Sequence, residues 1–122
     1  RGFDALLLVS PILDVSTDSA FAALLNGRTA PTAMSPSLHV RDAMPPIQIA
    51  QGEQDQRAPL LTAQRFCLAV TTTRQRCELR VYSELGHLLA APAENGVAAV
   101  PDRAAHADAI ASHIAFLRSV FP

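Results

Sequence analysis

The chain has 122 residues, 49% of them apolar and 17% charged, with a net charge of −1. That length supports one domain with a real core, and that balance excludes a disordered segment. All ten basic residues are arginines spread along the chain, so no bulk field favours nucleic acid or an anionic membrane.

No apolar run approaches the roughly 20 residues that span a bilayer. No signal-peptide pattern is present either. The chain begins without Met and opens just before a strand, so it reads as a fragment. Two cysteines, Cys67 and Cys77, are too few for a disulfide framework and read as two buried thiols.

Ala5-Leu6-Leu7-Leu8-Val9 is a continuous apolar run that stops at Ser10-Pro11. Such runs belong to strands buried on both faces, as in parallel sheets. Ser16 to Ser19 offer helix N-cap chemistry, Ala20, Phe21, Leu24 and Leu25 make a short apolar face, and Asn26-Gly27 supplies a stop. From Arg28 to Met44 the chain has no clear period and reads as a loop, with one helical turn near Leu38-His39-Val40. His39 there suits packing or capping. Pro45-Pro46 leads into a second strand, Ile47 to Ala50, ended by Gly52. Pro59 then sits in the favoured first turn of a helix with an inward stripe of Ala63, Phe66, Cys67 and Val70.

Cys77 to Tyr82 alternates, with Leu79 and Val81 on one face and Glu78, Arg80 and Tyr82 on the other, as expected of an edge strand. Leu88 to Val100 reads as loop. Pro101-Asp102 opens a last helix whose apolar stripe is Ile110, Ile114, Leu117 and Phe121. His106 and His113 ride on that helix without a Cys, Asp or Glu partner at ligand spacing, so no metal or other cofactor is expected. With no hairpin signal, the order strand, helix, strand, helix, strand, helix implies an α/β fold: three parallel strands with flanking helices in one domain over residues 1–122.

In open parallel sheets, functional groups collect past the C-terminal ends of the strands. Asp55 lies five residues beyond Ala50, and His87 five beyond Tyr82. Neighbouring strands are about 4.8 Å apart, so two such loops can bring a carboxylate to an imidazole. Gly52 and Gly86 suit tight turns there. Asp55 alone fits a cap residue and His87 alone a loop histidine. Their order and matching offsets favour an acid–base pair.

The stretch Pro46 to Pro59, with Gly52-Glu53-Gln54-Asp55-Gln56-Arg57-Ala58-Pro59 at its end, resembles the acid-bearing segment of α/β-hydrolase-fold esterases. There a strand ends in His-Gly or a variant, followed by x-x-Asp-x-x-Val-Pro and a helix. Cys77 to His87 resembles the segment that delivers the catalytic histidine. Leu7-Leu8-Val9-Ser10-Pro11 and Ser35-Pro36 also have counterparts in that family. The likeness covers almost the whole chain but only the C-terminal half of the family's fold, and it looks closest to the acetyl-esterase and carboxylesterase members. Dienelactone hydrolases and prolyl-oligopeptidase-type peptidases share both segments. Gln51 stands where the family often has His, and Ala58 where it often has Val. The resemblance implies that His87 is a general base, that Asp55 orients it, and that a small-molecule ester is the substrate.

The family's nucleophile sits in Gly-x-Ser-x-Gly, upstream of Asp and His. No Ser or Cys here has glycine two positions before and after it. Ser10 and Ser35 are each followed by Pro, which has no N–H to offer an oxyanion. Ser112 and Ser119 fall on the last helix. The nucleophile is therefore expected outside this chain, leaving it inactive alone. A non-catalytic interaction module and a peptidase fragment of the same fold are the competing expectations. The first strand is expected to have an open edge able to pair with a partner.

Overall fold

The computed structural model describes residues 2–93 and 98–122. Its main sheet has three parallel strands in the order β1 (Leu6–Val9), β2 (Ile47–Gly52), β3 (Cys77–Tyr82). Leu6 lies opposite Ile47, and Ile47 opposite Cys77. Between β1 and β2 run α1 (Ser19–Leu25) and two 3-10 turns, Pro31–Met34 and Pro36–Leu38. Helix α2 (Leu60–Thr72) joins β2 to β3, and α3 (Arg103–Val120) follows the loop after β3. The expected alternation and the expected edge position of β3 are both present.

All six residues of β2 are buried. Side chains alternate across a strand, so Ile47 and Ile49 face α2, which covers them with Ala63, Phe66, Cys67 and Val70. This is the stripe read from the sequence. Ala50 faces the other way and meets Ala105 and Ala109 of α3, with Leu85 and Leu89. The two helices thus cover opposite faces. Each fully buried Ile or Leu contributes about 1.5–3 kcal/mol relative to exposure.

The helix ends follow capping chemistry. Asp18 accepts the Phe21 N–H at 2.8 Å, and Asn26 stops α1 in the left-handed region at φ 49°. Pro59 is the cap of α2 rather than its first residue. Asp102 caps α3 by accepting the Ala105 N–H at 2.8 Å.

Several expectations need correction. Strand β1 is not buried on both faces: Leu6 and Leu8 pack on the core, while Leu7 and Val9 are exposed. In α3 the apolar stripe does not face the sheet. Ala105 and Ala109 do, Phe116 is buried, and Ile110, Ile114 and Phe121 are exposed. The face that packs on Ala50, Leu85 and Leu89 is thus made of alanines, with the bulkier stripe off it. Strand β3 does not split cleanly either, since Val81 is exposed while Tyr82 packs beside Ala50. Cys67 and Cys77 are not free thiols but a disulfide, with Cα atoms 5.3 Å apart. The region from Leu88 to Val100 holds a two-residue antiparallel pair, β4 (Ala90–Ala91) with β5 (Val100–Pro101). The rest of that expected loop includes residues 94–97, outside the described residues.

Helix α3 is tied to β3 by side chains. Arg80 bonds both carboxylate oxygens of Asp108 at 2.6 and 2.9 Å, and the Tyr82 hydroxyl donates to Asp108 at 2.7 Å. The Arg80 hydrogen bond lowers the Asp108 pKa from the ordinary 3.8. The cluster is solvent-exposed, so it orients α3 more than it stabilises the fold. The Arg76 guanidinium lies 4.5 Å from the Phe116 ring centroid. Burial pushes the His113 pKa below the ordinary 6.5, and its buried Nε2 has no hydrogen-bond partner. Among the described residues no helix is long and apolar enough to cross a membrane.

Candidate active site

Strands β2 and β3 run side by side and end side by side, and their backbones stay zipped past the ends. Glu53 N–H donates to Tyr82 O at 2.9 Å, and Gln54 N–H to Leu85 O at 2.8 Å. A Cβ on Gly52 would collide with the carbonyls of Leu85 and Gly86. Gly52 is therefore needed for close approach of two loops rather than for a tight turn. Neither Gly52 nor Gly86 has a positive φ. Glu84, Leu88 and Leu89 carry the left-handed backbone instead, at φ 63°, 55° and 54°.

This approach brings the two sequence-predicted residues together. His87 Nδ1 lies 2.9 Å from Asp55 Oδ2. The Asp55 side chain is wholly buried, and a quarter of the His87 side chain is exposed. Asp55 Oδ1 accepts the backbone N–H groups of Arg57 at 2.9 Å and Ala58 at 2.8 Å. Gln51 Nε2 approaches Oδ2 at 3.4 Å. The carboxylate is thus surrounded by donors. With Asp55 accepting, the His87 proton sits on Nδ1 and leaves the Nε2 lone pair free. No described residue forms a hydrogen bond to Nε2.

Gln51 is a supporting residue that sequence reasoning treated only as a departure from a pattern. It is fully buried, and its amide also donates to Ala58 O at 2.7 Å and Gly52 O at 3.2 Å. It links the end of β2 to the start of α2 beneath Asp55. The signal was its place in strand phase with Ile47 and Ile49, which aims it at the α2 face.

The serines do not join the pair. Ser10 is buried, and its hydroxyl accepts the Leu88 N–H at 2.9 Å. Ser35 is fully buried, accepts the Val15 N–H at 2.9 Å and lies 3.1 Å from Pro31 O. Ser119 donates to Phe116 O on α3. His106 bonds Leu88 O, and His39 bonds Thr32 O at 3.2 Å. Among the described residues no group of three His, Cys, Asp or Glu could hold a metal ion.

A cleft of about 320 Å³ opens beside His87, walled by Gln54, Gln56, Arg57, Gly86 and small residues including Ala90 and Ala91. A larger hollow of about 610 Å³ lies along α3, where Arg80, Tyr82 and Asp108 are bound to one another. The smaller cleft is the one that His87 lines.

Sheet, flanking helices and paired loops together make this part of an esterase-like α/β fold. Solved structures that resemble it include forms of Thermogutta terrifontis esterase 2. The form phosphoramylated by tabun matches with a TM-score of 0.79 at 26% identity, over 97% of this chain and 42% of that one. The propionate-bound form, described as a thermophilic esterase from a Planctomycetes species, gives 0.77 at 26%, over 97% and 43%. The apo form gives 0.77 at 28%, over 97% and 42%. The chain thus spans less than half the length of these esterases. No protein-family model and no curated protein matched it.

Proposed function

We propose that this chain supplies the base and acid of a Ser-His-Asp triad in a carboxylic ester hydrolase, as the C-terminal part of the fold. The observation that carries this is the 2.9 Å contact between His87 Nδ1 and the buried Asp55 carboxylate beside an open cleft. The esterase likeness supports the reaction class.

The chemistry follows from the tautomer. His87 Nε2 accepts the proton of a hydroxyl nucleophile as it attacks an ester carbonyl, and the ring becomes cationic. Asp55 stabilises that cation without taking its proton, while its bonds to Arg57, Ala58 and Gln51 keep the carboxylate from turning. His87 then returns the proton to the leaving alcohol. On this reading the nucleophile and oxyanion donors come from outside these residues, and the engagement of Ser10 and Ser35 in backbone contacts supports it for the nucleophile.

Two assays on a short-chain nitrophenyl ester test this. The 122-residue chain alone should show no turnover that depends on both Asp55 and His87. Turnover abolished by Asp55→Ala and by His87→Ala would place a nucleophile within it. In a longer protein containing this chain, the same substitutions should each lower kcat by about 10²–10⁴-fold. Unchanged kcat there would reject the pair as the acid and base.

A further inference from the structure

The His87 turn is held in a backbone conformation it would not adopt alone. Leu88 and Leu89 sit at φ 55° and 54°, a region costly for branched, bulky side chains. Two side chains from distant parts of the sequence grip Leu88 from both ends. The Ser10 hydroxyl, just past β1, accepts the Leu88 N–H at 2.9 Å. His106, in the first turns of α3, lies with Nε2 2.8 Å from the Leu88 carbonyl and so donates to it. Ser10 itself stands at φ 47° and is buried, which aims its hydroxyl at the turn. Further backbone bonds close the turn: Gly86 N–H to Ala90 O, Leu89 N–H to Gly86 O, and Asp102 N–H to Leu89 O.

We propose that Ser10 and His106 are positioning residues that clamp the His87 turn, holding the imidazole in register with Asp55. Neither contacts the His87 ring or Asp55 through a hydrogen bond; both act through Leu88. The clamp rests on the reading of His87 and Asp55 as a working pair, and it adds the end of β1 and the start of α3 to the machinery. Because a carbonyl oxygen can only accept, His106 acts through Nε2 as a donor.

Nuclear magnetic resonance of the 122-residue chain, selectively labelled at the histidine ring nitrogens, tests both layers separately. The unaltered chain should show His87 as one tautomer, protonated on Nδ1, with a protected Leu88 amide. Ser10→Ala and His106→Ala should each give averaged His87 tautomers, and Ser10→Ala should speed Leu88 amide exchange about tenfold. His106→Gln, which keeps a donor, should restore the single tautomer. His39→Ala, which removes a ring-to-carbonyl bond elsewhere, should change thermal stability without changing His87. A single His87 tautomer retained in His106→Ala and in Ser10→Ala would overturn the clamp. Should Ser10→Ala fail to fold, His106→Ala against His106→Gln decides alone. Asp55→Asn separates the underlying reading: if it leaves the His87 tautomer untouched, the pair is wrong whatever the clamp does.

Discussion

At Gly52 two loops meet with no room for a side chain. The neighbours are backbone carbonyls of Leu85 and Gly86, which cannot swing aside as a side chain could. Gly86 faces only ordinary contacts, the nearest at 3.7 Å. Two substitutions that look alike in sequence should therefore differ sharply. Gly52→Ala should cost about 1–3 kcal/mol in urea unfolding, because the loops must part. Gly86→Ala should cost well under that. Parting the loops also separates Asp55 from His87, so Gly52→Ala should lose the His87 Nδ1 proton signal. Equal unfolding midpoints for the two variants would show that the loops do not meet as described.

At the scale of elements, the disulfide fastens the inner face of α2 to the first residue of β3, across 10 residues of sequence. A loop that short limits the entropy a crosslink removes from the unfolded chain, giving roughly 2–3 kcal/mol. The double variant Cys67→Ala, Cys77→Ala should lose about that much in urea unfolding, and alkylation of the native oxidised chain should find no free thiol. Two alkylated cysteines under those conditions would contradict the pairing.

Sequence reasoning found each cysteine's place but not the bond, because pairing depends on how α2 returns to β3. The strands and α2 were legible, since bulky apolar residues repeat at clear periods there. In α3 the same rule misled: Ile110, Ile114 and Phe121 of the bulky stripe are exposed, and the buried residues are Ala105, Ala109 and Phe116. Alanines carry little hydrophobic signal, yet they set how closely a helix packs. Asp55 and His87 could be read from strand offsets. Gln51 left only its strand phase with Ile47 and Ile49 as a signal, and Ser10 and His106 left none, because each acts through the backbone of Leu88 rather than through a spacing.

Across the whole molecule, the sheet has one edge at β1 and the other at β3. On β1, Leu6 N–H donates to Pro46 O and Ser10 N–H to Ala50 O, both at 2.9 Å. Donors alternate along a strand, so the Leu7 and Val9 N–H groups point away from β2. The Leu7 and Val9 side chains are 36% and 38% exposed. An apolar edge with free donors is a template for another strand. We expect the 122-residue chain to self-associate through β1, giving concentration-dependent sedimentation. Leu7→Pro removes a donor on the open side without touching the bonds to β2, so it should shift the chain toward monomer while leaving β2 and β3 paired. The matching change on the bonded side, Leu8→Pro, should instead unfold the sheet. A chain that sediments as a monomer at high concentration, with Leu7→Pro indistinguishable from it, would mean that the β1 edge does not pair.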